Sequence, residues 1–563
     1  MAKTPLMHSL QRLAADYRLA RAHGLPLHAV RELRAEARQR AQDNPERPGA
    51  VVTRREMLVG SGAVLATLAL PRPTRAASAP RIAIVGGGIA GLTCALHLAD
   101  QGIAATVYEA SGRLGGRMFS NTSGYWDDGQ VSEWGGELID TGHRTIRRLA
   151  RRFGLVLDNV RAAEPDNSED TYHFMGEYYP RAQAEQDFAP VFDLVTADQE
   201  AAPFPTTFND FTGAGYRLDN MSVFDWIETR VEGGHSTPFG RLLDAAYAVE
   251  FGADTTEQSA LNLVYLLAFQ PEPVTFEIFG ESDESFHIRG GNQQLPRAIA
   301  RHLGPVIQRG MRLVRLQQTA GGRYRLWFES HGATTDIVAD IVVLALPFAV
   351  LREIDTRQAD FNALKRHAIQ ELGRGHNNKL QLQFTRRRWN RQGRWPGVSN
   401  GTTFTDTGYQ ASWDVTRAQR GVSGIMNFYS GGSVTDAMVT KQAFVQGFKP
   451  GVLEDAVRIL QQAEPVFPGL FAIWNLKVTQ SLPHKSRFFR ASYAYYGVGQ
   501  YTSFGGYERV RQGGVYFCGE HTSLGFQGFM EGGASEGARV ARQLVRLITG
   551  VADTKQEHLA LHP

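Results

Sequence analysis

The sequence predicts an α/β chain of more than one domain, and three observations carry that prediction. The chain has 563 residues, more than one core holds, since domains run to roughly 100–200 residues. Residues 81–98 read as a buried strand, a glycine turn and a helix. Residues 515–544 read as a second strand, a glycine-bearing loop and a second helix.

The first of these units is the most explicit. Arg81-Ile-Ala-Ile-Val85 is a short buried-strand pattern, and Gly86-Gly-Gly-Ile-Ala-Gly91 follows at once. Leu92, Ala95, Leu96 and Leu98 then recur at helical spacing. In this setting Gly86 permits the tight turn, Gly88 admits a pyrophosphate against the backbone, and Gly91 lets helix pack closely on strand. The amides and dipole of the helix N-terminus attract the phosphates. A second strand, Ala105 to Tyr108, ends in Glu109, where a ribose-binding carboxylate belongs. Strand, turn, helix and acid together predict adenine-dinucleotide binding.

The residues that follow choose between dinucleotides. Residues 109–120 contain Arg113-Leu-Gly115-Gly116-Arg117, in which glycines admit close backbone and arginines match phosphate charge. Here the chain resembles the flavin amine oxidase family, whose FAD site continues with an Arg-x-Gly-Gly-Arg stretch. Residues 515–537, Val-Tyr-Phe-Cys-Gly-Glu-His-Thr-Ser through Gly-Phe-Met-Glu-Gly-Gly-Ala-Ser-Glu-Gly, resemble that family's second flavin segment. The resemblance implies that Glu520 meets the ribityl chain. It also places the helix start near Met530 against the flavin pyrimidine ring, where a helix N-terminus stabilises negative charge.

Between these ends, Gly290-Gly291 to Leu295-Pro296 resembles a further family segment, with a helix expected to Leu303. Strands are expected at Met311–Leu316, Tyr324–Phe328 and Asp340–Ala345. The resemblance implies that the first of them returns to the FAD domain and touches adenine through Met311. The predicted fold is thus a Rossmann-type FAD-binding domain assembled from three separated segments, 80–150, 285–350 and 485–550. An α+β substrate-binding domain takes 150–285 and 350–485, and residues 551–563 form a tail.

The same resemblance names catalytic candidates. Lys379, in the alternating stretch His376 to Phe384, matches the family lysine that holds a water near flavin N5 and is implicated in the reaction with oxygen. Tyr493 and Phe529 fall at the two walls of an aromatic cage that aligns an amine on the flavin face. Some members bind flavin through a cysteine just before the Tyr493 position, and this chain has Ser492 there, so non-covalent FAD is expected. Glu137, in the acid-x-Gly-Gly segment Glu133 to Glu137, either meets a second ammonium on the substrate or pairs with Arg144 or Arg147. Amino-acid oxidases carry an arginine in this segment for the substrate carboxylate. Neither Glu137 nor Leu138 supplies one, although an arginine elsewhere, such as Arg289, could. The expected reaction is oxidation of an amine to an imine, hydrolysed to aldehyde and ammonia, with O2 reduced to H2O2. The alternatives are an L-amino acid oxidase, or a dehydrogenase or desaturase using another electron acceptor.

Composition limits the other classes. Residues 1–79 hold 13 Lys+Arg against 6 Asp+Glu and the remainder 47 against 51, so the body is mildly acidic and a nucleic-acid partner is not expected. The two cysteines, Cys94 and Cys518, give no disulfide framework. Histidines His287, His376 and His521 sit in unrelated segments without metal-ligand spacing, and no metal is expected. A Ser–His–Asp hydrolase would need a nucleophile elbow, whereas the glycine-rich turn after the first strand is read as a phosphate site. At the front, Arg54-Arg55, an apolar run to Leu70 and the small-residue exit Ala76 to Ala79 read as a twin-arginine export signal. That run is too short to span a bilayer, so the expected partners are export machinery, a small amine and O2, and the expected location is periplasmic or secreted. Residues 9–42 look helical, which makes an unusually long lead before the arginine pair.

Overall fold

The computed structural model describes residues 79–271 and 275–550. The predicted export signal, the helical stretch 9–42 and the tail 551–563 lie outside the described residues.

Two sheets position the site. In chain order their strands are β1 (Ile82–Val85), β2 (Thr106–Glu109), β3 (Ser168–Phe174), β4 (Glu177–Tyr179), β5 (Ile307–Arg309), β6 (Ile341–Leu344), β7 (Asn377–Phe384), β8 (Val398–Thr405), β9 (Ala411–Asp414), β10 (Gly424–Gly431), β11 (Phe444–Gln446), β12 (Trp474–Ser481) and β13 (Val515–Phe517). The first sheet is parallel, in the order β13-β6-β1-β2-β5. Its central strands β1 and β6 are buried along their whole length, as expected for a parallel sheet covered on both faces. The second sheet runs β11-β12-β7-β10-β9-β8-β3-β4 and is antiparallel except where β8 meets β3.

Three helices complete the frame: α1 (Ile89–Ala99), α2 (Pro238–Phe251) and α3 (Met530–Thr549). In α1, Leu92, Leu96 and Leu98 are fully buried, and each such side chain contributes roughly 1.5–3 kcal/mol by leaving water. Helix α3 lies directly on α1, and small residues allow this. A Cβ on Gly537 would stand 2.1 Å from the Ala90 carbonyl oxygen, and one on Gly533 2.9 Å from the Ile89 side chain.

The strand expected at Met311–Leu316 forms, one residue later, but pairs elsewhere. Arg312–Gln318 belongs to a separate four-stranded sheet, and β5 at Ile307–Arg309 joins the parallel sheet instead. Strand β5 is a half-exposed edge with no apolar run to announce it. Gly310, in the left-handed region at φ 73°, separates the two strands. Met311 sits in this break and donates its backbone N–H to the Glu109 carbonyl at 2.8 Å.

Candidate active site

The glycine turn forms as its sequence requires. Gly86 has φ 112°, and a Cβ on Gly91 would meet the Gly86 carbonyl oxygen at 2.0 Å. A Cβ on Gly88 would find only Gly116 Cα at 3.8 Å, so this residue faces open space. Glu109 accepts from Gly87 N and Ser111 N, both at 2.7 Å. Gly115 N closes on Gly87 O at 2.8 Å, which lays the Arg113–Arg117 loop beside the turn. Arg113 donates to Gly116 O at 2.6 Å and stacks its guanidinium 3.9 Å from the Phe119 ring centroid. Burial pulls Arg113 down to about 10. Arg117 Nη1 bridges the Ser492 carbonyl and Glu520 Oε1, each at 2.8 Å. Glu520 Oε2 accepts from Gly528 N at 2.9 Å.

A cavity of about 860 Å³ begins at this turn and runs to the second sheet, within the range of small-molecule and cofactor sites. Gly86, Gly88, Glu109, Arg113, Gly115, Gly116, Arg117, Met311, Glu520 and Met530 line it. Gly91 stands behind, packed on Gly86. Gln527, 1% exposed, faces the cavity with neither atom of its amide partnered. Unpartnered buried polar atoms, a turn open at Gly88 and clustered arginines fit a phosphorylated dinucleotide with a polar ring system. Cys94 and Cys518 are both buried and neither lines the cavity.

Strand register builds the far wall. Lys379 on β7 pairs with Ser481 on β12 and Tyr429 on β10, and Tyr429 pairs with Ala411 on β9. This row of four faces the cavity together with Asn377 and Trp413, two residues along on the same sheet face. Lys379 Nζ donates to Glu137 Oε2 at 2.6 Å and to Gly135 O at 3.0 Å. Glu137 Oε1 accepts from Trp413 Nε1 at 2.9 Å. Glu137 therefore pairs with neither Arg144 nor Arg147; Arg147 reaches the Thr141 carbonyl and the Phe286 ring instead. Burial acts to raise Glu137, but the Lys379 ammonium outweighs it and holds the carboxyl below its usual value. Neighbouring Glu133 has no such partner. Burial pushes it up to about 8, against hydrogen bonds from Ser120 Oγ and Asn292 N.

Aromatic rings surround the row. The Tyr493 hydroxyl donates to Val249 O on α2 at 2.7 Å and meets the Tyr429 hydroxyl at 3.2 Å. The Tyr429 and Trp413 rings meet edge to face at 5.1 Å. Phe529, at the start of α3, lines the cavity and packs edge-on against His143 at 5.0 Å. Trp413 and Tyr429 were not predicted; strand alternation alone marks their stretches, and only the order β7-β10-β9 brings them to Lys379.

The cavity wall also carries acids. Glu250, Glu284, Glu164 and Asp170 line it. Burial, with Asp140 and Glu250 beside it, pushes Glu284 up to about 8. Arg417, 9% exposed in its side chain, pairs with Glu164 at 2.6 Å in this region. Arg289 stands elsewhere, with its side chain 67% exposed and bound to Asp158.

The family model for flavin-containing amine oxidoreductases matches residues 89–545. The chain belongs to that family. An L-amino-acid oxidase of Pseudechis australis is 24% identical over 492 residues, covering 84% of this chain and 87% of its own. An amine oxidase of Danio rerio is 23% identical over 498 residues, covering 83% and 86%. Among solved structures, cyclohexylamine oxidase from Brevibacterium oxydans superposes with a TM-score of 0.68 at 20% identity, covering 83% of this chain and all of its own. Wild-type putrescine oxidase gives 0.67 at 18%, covering 83% and 99%. The fold is that of FAD-dependent amine oxidases, and the enzyme is a flavin-dependent oxidoreductase with a flavin cofactor.

Proposed function

We propose that this enzyme oxidises a small amine lacking a carboxylate to its imine, which hydrolyses to aldehyde and ammonia, and that O2 is reduced to H2O2. The observation that carries this reading is one cavity whose wall takes in the glycine turn, the aromatic row around Lys379, and Glu250 and Glu284. When bound, FAD supplies hydride acceptance. In this reading Gly86, Gly88 and Gly91 with α1 receive the pyrophosphate, Glu109 the ribose, and Met311 the adenine. Arg113, Gly115, Gly116 and Arg117 border the phosphates, Glu520 meets the ribityl chain, and Met530 opens α3 against the pyrimidine ring. Ser492 and the distance of both cysteines from the cavity favour non-covalent binding.

Tyr493, Tyr429, Trp413 and Phe529 exclude water and orient the amine, and an apolar aromatic wall favours its uncharged form. Lys379 holds a proton-donating ammonium toward the cavity and serves the oxygen reaction. Both Glu137 carboxylate oxygens already have donors, so the acid for a second substrate ammonium is assigned to Glu284, with Glu250 beside it. A diamine or polyamine is therefore the favoured substrate class. The segments predict a periplasmic or secreted enzyme delivered by the twin-arginine route.

One observation favours a second reading, an L-amino acid oxidase: Arg417 lies in the cavity wall, and its guanidinium matches a carboxylate. The deciding experiment mixes the yellow protein anaerobically with monoamines, diamines, polyamines and L-amino acids, and follows the flavin band. Bleaching by amines, with recovery and peroxide in air, supports the first reading. Bleaching by amino acids alone replaces it with the second. Bleaching without recovery in air makes the enzyme a dehydrogenase.

A further inference from the structure

Two histidines from distant segments meet outside the cavity. His376 precedes β7 by one residue. His484 lies in the turn Pro483–Lys485 that follows β12, the strand paired with β7. Asp436 ends the short helix Gly432–Asp436, which follows β10 on the other side of β7. One potential ligand atom from each of the three lies within 4.8 Å of the others. His376 Nδ1 stands 2.8 Å from Asp436 Oδ1. The two imidazoles stack at 4.4 Å between centroids. His376 and His484 do not line the cavity, although their neighbours Asn377 and Pro483 do.

The decisive feature is His484. Both of its ring nitrogens are shielded from solvent, and neither has a hydrogen-bond partner. An imidazole carries one donor and one acceptor when neutral, and buried polar atoms of native proteins are nearly always satisfied by protein, water or an ion. A nitrogen beside another imidazole and a carboxylate, with nothing to bind, is what a metal site looks like without its ion.

We propose that His376, Asp436 and His484 form a divalent transition-metal site, best suited to Zn2+. Two imidazoles and one carboxylate are the donors that Zn2+ takes, with a fourth position left for water, and Asp436 is exposed on the solvent side. Calcium and magnesium ask for sets made of oxygen. Tetrahedral coordination at about 2.0–2.2 Å holds ligand atoms about 3.3 Å apart. The His376–Asp436 contact therefore opens slightly, and His484 turns out of the stack toward the ion. Lys485 and Arg374 are nearby cations. Lys485 directs its ammonium to the carbonyls of Met438 and Thr440, which keeps it from the ligand set. The bound ion would fasten the entry of β7, three residues before Lys379, to the end of β12 and to the Gly432–Asp436 helix. It is a structural clamp and takes no part in amine oxidation.

The test uses tag-free holoenzyme dialysed against a chelator and then titrated with Zn2+ by calorimetry, with thermal unfolding measured alongside. One equivalent should bind and raise Tm. H376A, H484A and D436N should each weaken binding at least about tenfold and abolish the rise in Tm. D436N alters an exposed side chain, so a folded variant is available even if an imidazole replacement unfolds the protein. Absence of saturable binding would overturn the proposal, and so would binding that all three variants retain. Displacement of Zn2+ by equimolar Mg2+ would overturn its assignment to a transition metal.

Discussion

Lys379 and Glu137 form a buried ion pair at 2.6 Å, with side chains 11% and 6% exposed, between residues 242 positions apart. Trp413 caps the free carboxylate oxygen. Removing one partner of a buried pair leaves an uncompensated charge, at a cost of about 3–5 kcal/mol. K379M should therefore lose stability on that scale in urea titrations, and K379M/E137Q should recover part of it. Glu137 is held below the ordinary carboxylate range by Lys379 in spite of burial. The pair's contribution is then complete above about pH 4.3, the unfolded value. It disappears as pH falls through the lower folded value. K379M should lack this acid-side loss. It should also slow recovery of the bleached flavin in air more than the bleaching itself.

Glu284 has the opposite sign. Burial and the charges of Asp140 and Glu250 raise it to about 8. Its contribution is present below the unfolded value and is lost as pH rises through about 8. E284Q should match wild type in Tm at pH 4 and exceed it at pH 9. A second substrate ammonium would draw the proton off this acid, so E284Q should raise KM for a diamine by roughly tenfold, about 1.4 kcal/mol. KM for a monoamine should stay as it was. Equal changes for both substrates would remove Glu284 from recognition.

What was legible in the sequence follows a physical division. The glycine turn, Glu109, the strand at Ile82–Val85 and the helix beginning at Met530 are local: hydrophobic period and glycine spacing specify them within about 30 residues. Lys379 was found by its flanking pattern. Its partner Glu137 was singled out for other reasons, because a contact across 242 positions depends on which sheet face meets which loop. Trp413, Tyr429, Glu284 and Arg417 were missed for the same reason. Strand β5 escaped because an edge strand needs no continuous apolar run, and the strand expected at Met311–Leu316 forms at Arg312–Gln318 but in a separate sheet. His376 stands alone in its own segment because its neighbour His484 comes from the turn after the adjoining strand.

Two glycine replacements separate packing from cofactor approach. In G91A the new Cβ stands 2.0 Å from the Gly86 carbonyl oxygen and 3.2 Å from Ala345 Cβ, so α1 must move off β1. Loss of both stability and bound flavin is expected. In G88A the methyl meets nothing closer than 3.8 Å, and the backbone, at φ −76°, accepts alanine. This variant should unfold like wild type once flavin is removed from both, yet purify with far less yellow cofactor. The flavin-to-protein absorbance ratio and Tm of the stripped proteins check the contrast. Full flavin content in G88A would remove the assignment of this position to the pyrophosphate.

The tyrosine pair gives an ordering. The single Tyr493 proton goes to Val249 O, so the Tyr429 hydroxyl donates to Tyr493 Oη across 3.2 Å. Y493F strands the Tyr429 donor, while the Val249 carbonyl keeps the Asn377 amide at 2.8 Å; Y429F strands only a lone pair on Tyr493. An unmade hydrogen bond of a buried group costs about 1–3 kcal/mol, so Y493F should be the more destabilising of the two in urea titrations. Neither ring leaves the cavity wall, so flavin content and KM for a monoamine should change little in both. Y493A removes the ring, and with it one side of the channel that orients the amine. Its kcat/KM should fall by roughly 10–100-fold, about 1.4–2.7 kcal/mol of lost orientation, with flavin content intact. A Y493A enzyme that bleaches at the wild-type rate would place the reacting amine elsewhere in the cavity.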